Sequence, residues 1–266
     1  MPRFYLPDLP DAGELNLPDS IVRHIQVLRL NVGDDLILFD GRGKRAHATL
    51  TELGKRKAAC TLAPTEQINS ESALSIHLLQ AISSGERMDF TIQKSVELGV
   101  ASITPIWSER CVVKLQGERA NKRVQRWQDI AISACEQCGC DIVPEVRPIV
   151  RFDDYIKQMP REQLHLLMSL QQAKSLQAMQ PAPQTVYLMI GPEGGWTAAE
   201  EQAALDAGFQ AIVLGKRVLR TETASLAAIG GNADFVGGFC VMPTLHYRNT
   251  ISCINCIPHC QSRWRC

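Results

Sequence analysis

The first 70 residues combine one helical and two extended patterns of apolar positions. Apolar side chains recur at helical spacing over residues 20–30, which predicts a helix there. Residues 35–39 and 46–50 are short β-compatible runs, and the Asp-Gly and Gly positions in residues 40–43 predict a tight turn between them. We therefore expect a small β-rich unit at the N-terminus.

The pattern changes after residues 66–72, a polar stretch that is typical of a linker. From there, apolar runs of strand length alternate with segments of helical periodicity, which favours an α/β domain with a mainly parallel sheet. One of these helices should begin at Thr197, because Glu200 three positions later completes a capping box. The expected strands are residues 76–81, 103–106, 164–168, 186–190 and 211–214, and the expected helices are residues 89–98, 119–138 and 197–207.

The composition indicates a globular protein without a global attraction for polyanions. Hydrophobic residues make up 45% of the 266 positions. No apolar run reaches the roughly 18 residues of a membrane span, and the N-terminus lacks a signal-peptide core, so a soluble, cytoplasmic protein without a membrane partner is expected. Because 28 basic and 28 acidic side chains balance, nucleic acid could be held only by a local basic cluster. Such clusters, each of which can equally be solvated surface, are residues 44–45, residues 55–57, and Arg119, Lys122, Arg123 and Arg126.

The strongest chemical signal is the run Gly191-Pro192-Glu193-Gly194-Gly195 at the end of an apolar strand. Ligands of open α/β sheets bind at the carboxyl ends of strands, and glycines there allow close backbone approach. The spacing matches neither a dinucleotide-binding motif nor a P-loop. A ligand-binding loop is therefore one interpretation, and a plain turn is the other.

A second signal is the polar run at residues 214–224, which lies between apolar segments. It contains two threonines, Glu222, and arginines that include Arg220. Partly buried groups of this kind must pair with each other or with a ligand, which favours a function over a structural turn. Residues 83–89 and the pair Glu136-Gln137 are weaker signals of the same kind.

These motifs, in this order, resemble the RsmE family of 16S rRNA uracil-N3 methyltransferases, which belong to the SPOUT class. The resemblance runs from the N-terminus to about Ile229. It is carried by residues 21–29, 40–43, 84–89, 93–99, 108–110, 136–137, 143–145, 191–195 and 214–224.

The resemblance implies a fold that periodicity does not reveal. It predicts a PUA-like β-barrel over residues 1–70 that helps to hold RNA, and an α/β SPOUT domain over residues 73–229. The C-terminal strands and loops of that parallel-sheet domain would form a trefoil knot, a rare exception to unknotted chain paths. The family further implies a homodimer, S-adenosylmethionine as cofactor, and N3 of uridine 1498 in the 16S rRNA of the 30S subunit as target.

The resemblance also implies site residues. The knot loops would bind the cofactor largely through backbone groups. Arg220 would stabilise negative charge on the uracil carbonyl oxygens, and Glu222 would orient Arg220 or accept the N3 proton, the orienting role being favoured because a carboxylate is a weak base for that proton. The cofactor residues implied are Ser169, Gly191, Glu193, Gly194, Gly195, Leu214, Gly215, Val218 and Leu219, and the RNA-facing candidates are Arg23, Arg29, Arg42, Lys44 and Arg110. We interpret His24, His77 and His165 as packing residues.

Two features depart from the family pattern. Cys140 stands where the family usually carries an arginine. The pattern also stops at Ile229, whereas family members end their last helix with a short run that closes on Gly-Asp-Phe. Back-translating the residues that follow and shifting by one base permits such an ending, so we hypothesise that residues 230–266 are out-of-frame translation.

Two alternatives to an active methyltransferase stay open. The first is an RNA-binding relative with the same fold and no turnover. The second is a zinc-binding module in the cysteine-rich tail, where Cys253, Cys256, His259 and Cys260 have near-zinc spacing. Since these four ligands lack a flanking hairpin, the expectation is that the protein binds no metal.

Overall fold

The protein contains two sheets, described by a computed structural model that covers residues 1–68, 74–113, 115–169, 173–175 and 184–235. The first sheet is largely antiparallel, with strand order β1-β3-β4-β5-β2 and with β6 paired to β4. Helix α1 (Asp19–Val27) packs its buried side chains against it. The strands of this sheet are β1 (Arg3–Tyr5), β2 (Gly13–Asn16), β3 (Asp35–Phe39), β4 (Lys44–Leu53), β5 (Ala58–Leu62) and β6 (Glu66–Gln67).

The expected linker over residues 66–72 is wrong in its first part. Residues 66 and 67 form β6, which pairs antiparallel with the start of β4. The reason is a side-chain pairing across the strands, in which Arg45 Nε donates to Glu66 at 2.7 Å. Polar residues that satisfy one another extend the sheet here, while residues 69–73 lie outside the described residues.

The second sheet is parallel at every strand pair that the structure describes, which confirms the predicted α/β class. Its order is β10-β8-β7-β13-β11-β14-β12, with β9 also paired to β8. The trefoil knot remains a prediction of the resemblance. The strands are β7 (Ser75–Ala81), β8 (Ser102–Trp107), β9 (Glu145–Val146), β10 (Val150–Arg151), β11 (Leu164–Met168), β12 (Lys174–Ser175), β13 (Thr185–Ile190) and β14 (Gln210–Val213).

Helices cover both faces of the parallel sheet. Neighbouring residues of one strand, such as Leu78 and Leu79, point into two different apolar clusters because side chains alternate along a strand. One cluster includes residues of α2 (Gly85–Glu97), α3 (Gly117–Cys138) and α6 (Thr221–Phe235). The other includes residues of α4 (Phe152–Gln158) and α5 (Ala198–Asp206).

Helix α2 starts four residues earlier than the pattern predicts, at Gly85 instead of Asp89. The Ser84 N–H and hydroxyl both donate to the Glu193 carboxylate, at 2.8 and 2.9 Å. This tertiary contact fixes the chain just before the helix, and the periodicity of apolar residues could not predict it because Glu193 is distant in the sequence. The capping box of α5, between Thr197 and Glu200, is present as predicted.

The two sheets meet at the predicted turn of residues 40–43. Val143 N–H donates to Gly41 O at 2.9 Å, and Gly43 N–H donates to Asp141 O at 3.0 Å. Both glycines have positive φ, and a Cβ at Gly43 would lie 2.7 Å from the Ile68 carbonyl oxygen. Glycine is therefore required for this close approach.

Candidate functional site

Three loops meet at the carboxyl edge of the parallel sheet. Strands β13, β11 and β14 are adjacent and parallel, so the segments that follow Ile190, Met168 and Val213 emerge at the same edge. Ser169, the segments after Ile190 and Val213, and the start of α6 line a cavity of about 650 Å³. The topology thus places both sequence signals, the glycine run and the polar run, around one space.

The cavity brings together most of the predicted site residues. Eight of the predicted cofactor residues line it, and Gly215, which belongs to the same loop as Leu214 and Val218, does not. Both predicted catalytic residues, Arg220 and Glu222, line the same space. The predicted cofactor residues at the wall are Ser169, Gly191, Glu193, Gly194, Gly195, Leu214, Val218 and Leu219.

The glycine loop is shaped by tight local contacts. Gly195 has a φ of +65°, and its N–H donates to Pro192 O at 2.9 Å. A Cβ on Gly191 would lie 3.3 Å from the Trp196 indole, so a larger residue would push the ring away. Arg110 holds the outer side, because Nη1 donates to Gly194 O at 3.1 Å and to Trp196 O at 3.0 Å. The RNA contact predicted for Arg110 stays a prediction, and the structure gives this residue a loop-bracing role.

Glu193 ties the glycine loop to α2. Its carboxylate accepts from Ser84 and, at 3.2 Å, from the Arg87 guanidinium. Burial alone raises the pKa of Glu193, but the hydrogen bonds from Ser84, from its own N–H and from Arg87 outweigh burial and hold that pKa below 4.5. Glu193 is therefore an ionised anchor at neutral pH.

A buried hydrogen-bond network fixes the start of α6. Thr221 Oγ1 donates to Gly191 O at 2.6 Å and accepts from Gln80 Nε2 at 3.0 Å. Ser225 Oγ donates to Gln80 Oε1 at 2.5 Å. Since Gln80 is fully buried in β7, these bonds lock the first turn of α6 to the sheet and to the glycine loop. Arg220 and Glu222 flank Thr221 and are held in place with it.

Two buried polar atoms at the cavity wall have no partner in the described protein. One is Glu222 Oε2 and the other is Trp196 Nε1. An unpaired buried polar atom costs free energy, about 1–3 kcal/mol, unless a ligand or water satisfies it. These atoms are an acceptor and a donor that a bound molecule could use.

Some wall residues escaped the sequence prediction. Ser169 Oγ donates to the Glu201 carboxylate, which comes from α5 and lines the cavity. Arg87 belongs to residues 83–89, which the sequence analysis gives as a weak functional signal, but no sequence pattern places it at this site. No sequence pattern distinguishes Glu201, because it occupies an ordinary polar position in the first turn of a capped helix.

The other RNA-facing candidates lie away from the cavity wall. Arg23, Arg29 and Arg42 are exposed, and Arg29 adopts a left-handed φ of 56°. Lys44 donates through Nζ to Leu9 O at 3.0 Å and to Asp11 Oδ1 at 2.7 Å. All four belong to the first sheet or its connections.

The three histidines make packing contacts. His24 packs edge-on against Phe4, and His77 and His165 stack on opposite sides of Tyr187, with centroid distances of 4.6 and 4.7 Å. Burial lowers the pKa of both stacked histidines.

Of the two departures from the family pattern, Cys140 lies within the described residues, and the tail does so only up to residue 235. The Cys140 thiol donates to Ile142 O at 3.0 Å and is half-buried. Helix α6 continues past Ile229 to Phe235.

The residues with zinc-like spacing lie outside the described part of the chain; they are Cys253, Cys256, His259 and Cys260. Within the described part, no three acidic, histidine or cysteine side chains cluster as metal ligands would. No helix among the described residues is long and apolar enough to cross a membrane.

Comparison with known proteins identifies two matching domains. A profile of RNA methyltransferase domains matches residues 70–231, and one of RNA methyltransferase PUA domains matches residues 17–63. The ribosomal RNA small subunit methyltransferase E of Buchnera aphidicola subsp. Acyrthosiphon pisum is 32% identical over 241 residues, which cover 90% of this chain and 95% of that protein.

Solved structures agree with this match. The crystal structure of a ribosomal RNA small subunit methyltransferase E from Neisseria gonorrhoeae, bound to S-adenosylmethionine, is similar with a TM-score of 0.84 and 52% identity, covering 88% of this chain and 97% of that one. A putative methyltransferase from Legionella pneumophila, in complex with the same cofactor, is similar with a TM-score of 0.83 and 39% identity, covering 87% and 96%.

Proposed function

The chain belongs to the RsmE family of ribosomal RNA small subunit methyltransferases, and from this premise we propose that it transfers the methyl group of S-adenosylmethionine to N3 of uridine 1498 in 16S rRNA. The observation that carries the proposal is the convergence of the glycine loop, the polar run and Ser169 on one cavity at the carboxyl edge of the parallel sheet. Its substrate would be the 30S subunit, and its place the cytoplasm.

The residues present fit the cofactor. A cavity of about 650 Å³ falls within the range of roughly 300–1,000 Å³ that small-molecule sites occupy. The apolar side chains of Leu214, Val218 and Leu219 suit an adenine ring, and the glycine loop exposes backbone groups for polar contacts. The unpaired Trp196 Nε1 supplies a donor in the same wall.

S-adenosylmethionine supplies an electrophilic methyl group on a cationic sulfonium. The protein must hold the uracil so that N3 faces that methyl group in line with its bond to sulfur, and such alignment is worth about 7–11 kcal/mol in the best intramolecular cases. The network of Gln80, Thr221 and Ser225 would provide this rigidity, because it fixes the turn that carries the two candidate catalytic residues.

Arg220 would stabilise the negative charge that develops on the uracil carbonyl oxygens as N3 loses its proton. Its side chain lines the cavity and is exposed, so an extruded base can reach it. Glu222 lies two positions on, with Oε2 buried and unpaired. It would orient Arg220, which is the favoured role, with the N3 proton passing to solvent water, or it would accept that proton itself. A base within rRNA must leave its stack to enter such a site.

Phosphate contacts would position the RNA without reading its sequence, and we assign them to Arg23, Arg29, Arg42, Lys44 and Arg110. We further propose a homodimer, because exposed apolar side chains, such as Val218 of the cavity wall at 79% exposure and Phe90 of α2 at 44%, are what a subunit interface would cover. The proposed domains are a PUA-like barrel at residues 1–70 and a methyltransferase domain at residues 73–229.

A second candidate function is RNA binding without turnover. It is favoured by Cys140, whose thiol bonds to a backbone carbonyl where the family pattern would supply a cation. The tail at residues 230–266, which we propose to be out-of-frame translation, favours it as well. Sequencing the gene would contradict the frameshift if the codons after Ile229 cannot encode a Gly-Asp-Phe ending in the shifted frame.

The test uses purified protein with 30S subunits from a strain that lacks the modification. We expect labelled methyl transfer that base-resolution mapping places on N3 of uridine 1498, and subunits that already carry the modification serve as the control. Cofactor affinity is measured in parallel by calorimetry. Methylation at another nucleotide would refute the target, cofactor binding without transfer would favour the second candidate, and a folded protein with no cofactor affinity would refute the enzymatic proposal.

A further inference from the structure

A groove on α3 is basic and lies outside the site described above. It has a volume of about 400 Å³ and is lined by Leu115, Arg119, Lys122, Arg123 and Arg126. Lys122, Arg123 and Arg126 follow Arg119 by three, four and seven positions, so the four cations share one helix face. The Leu115 side chain, which also touches the main core, and the aliphatic stems of the basic residues supply the apolar lining of the groove.

Two of the four cations have partners and two do not. Lys122 pairs with Glu118 at 2.8 Å, and Arg126 pairs with Asp89 at 2.7 Å. Within the described part of the chain, Arg119 and Arg123 take part in no ion pair and no side-chain hydrogen bond. The groove therefore keeps a local positive charge in a chain whose net charge is zero.

This arrangement works against the helix that carries it. Arg119 and Arg123 are spaced i, i+4, and like charges at that spacing repel each other. Arg119 also lies in the first turn of α3, where the helix dipole disfavours a cation. Among the described residues, neither Arg119 nor Arg123 has an acidic partner that offsets these costs, so a binding role accounts for the two arginines better than a structural role does.

The groove is connected to the cavity through the first turns of α2. Arg87 contacts Glu193 of the glycine loop, and Asp89, two residues later, accepts from Arg126 and from Trp127 Nε1. A ligand in the groove would therefore be close to whatever enters the cavity, separated from it by one helix end.

We propose that the basic groove of α3 binds the phosphate backbone of the substrate RNA, next to the segment that delivers the target base. This inference rests on the proposed function. Guanidinium groups suit the partner because they bind phosphate oxygens in a bidentate manner. Arg119 and Arg123 are the phosphate ligands, and Lys122 and Arg126 are held by their carboxylates as the flanks of the groove.

The test variant is Arg119→Gln with Arg123→Gln, which removes the two unpaired charges and keeps helix-compatible side chains. The matched control is Lys157→Gln with Arg161→Gln, which removes the same charge on and just after α4, against the opposite face of the sheet. Binding to 30S subunits and to a short naked RNA duplex is measured over a series of salt concentrations. Cofactor affinity and thermal melting are measured for each variant.

We expect the groove variant to bind both RNA probes about ten-fold more weakly, and the slope of log affinity against log salt to fall by about 2, one unit per lost phosphate contact. Its cofactor affinity should equal that of the parent, and its melting temperature should be unchanged or higher because the repulsion is gone. The control should keep the parent's affinity and slope.

Three results would overturn the inference. One is a groove variant with the parent's affinity and slope on both probes. Another is weaker binding to 30S subunits with unchanged binding to naked RNA, which would identify a ribosomal protein as the partner. The third is a lower melting temperature with unchanged affinity, which would make the arginines structural. A parent that binds the duplex through the groove but methylates no subunit would refute the proposed function and not the groove.

Discussion

The two sheets of this protein distribute their polar side chains differently. In the first, largely antiparallel sheet, the middle of β4 alternates buried and exposed residues, and its charged side chains pair with carboxylates of neighbouring segments, as Lys44 does with Asp11. In the parallel sheet, β7, β8 and β13 are buried almost throughout. Their loops therefore carry the polar groups, and these loops meet at one edge. A sheet with one solvent-exposed face spreads its polar side chains over that face. A parallel sheet with helices on both faces confines them to the loops at its edges.

The largest effect should come from the edge of the parallel sheet. Arg220→Ala is expected to lower the methylation rate about 10²–10³-fold, as the loss of one charge-stabilising donor typically does. Cofactor affinity and melting temperature should stay those of the parent, since the exposed Arg220 side chain supports no core contact. Thr223→Ala, an exposed position on the same helix that does not line the cavity, is the control. Unchanged rates in Arg220→Ala would refute the assignment.

The next effect concerns the contact between the two sheets. The Asp141 side chain is 3% exposed and accepts from Arg3 of β1 and, at 3.4 Å, from Arg45 of β4. Asp141→Asn should lower the free energy of unfolding by about 3 kcal/mol, because it leaves a buried guanidinium without its counter-charge. Chemical denaturation measures this. Asp11→Asn, whose side chain is 90% exposed in its pair with Lys44, should leave stability unchanged. Equal midpoints for the two variants would show that the buried pair contributes nothing.

The smallest effect is a pH dependence confined to the parallel sheet. Burial lowers the pKa of His77 and His165 below 6.5, and the charge of Arg147 lowers that of His77 further. Well above pH 6.5 both histidines are neutral whether the chain is folded or unfolded. As pH falls below 6.5, the unfolded chain takes up protons that the folded chain resists, so stability decreases through the folded pKa values. The melting temperature should therefore drop from pH 7 to pH 5, and less so for His77→Gln with His165→Gln. If the melting temperatures of the parent and of the double variant fall equally between pH 7 and pH 5, the two histidines do not cause the pH dependence.

Much of the fold could be predicted because its signals are local. The strands at residues 35–39 and 164–168 occur where their apolar runs predict them, and the capping box of α5 depends on only two residues, three positions apart. The start of α2 could not be predicted, since it depends on a carboxylate 109 positions away in the chain. The same holds for β6, which needs the side chain of Arg45.

For the site, local patterns were enough to locate the glycine loop and the polar run after apolar strands, because backbone conformation and strand periodicity are set by neighbouring residues. Folding was needed to bring Ser169, Glu201 and Arg87 around the same cavity, and to place the basic face of α3 beside Leu115 in one groove. The physical reason is that parallel strands adjacent in the sheet are distant in the chain, so the contacts between their loops are fixed by the order of strands, which no local pattern encodes.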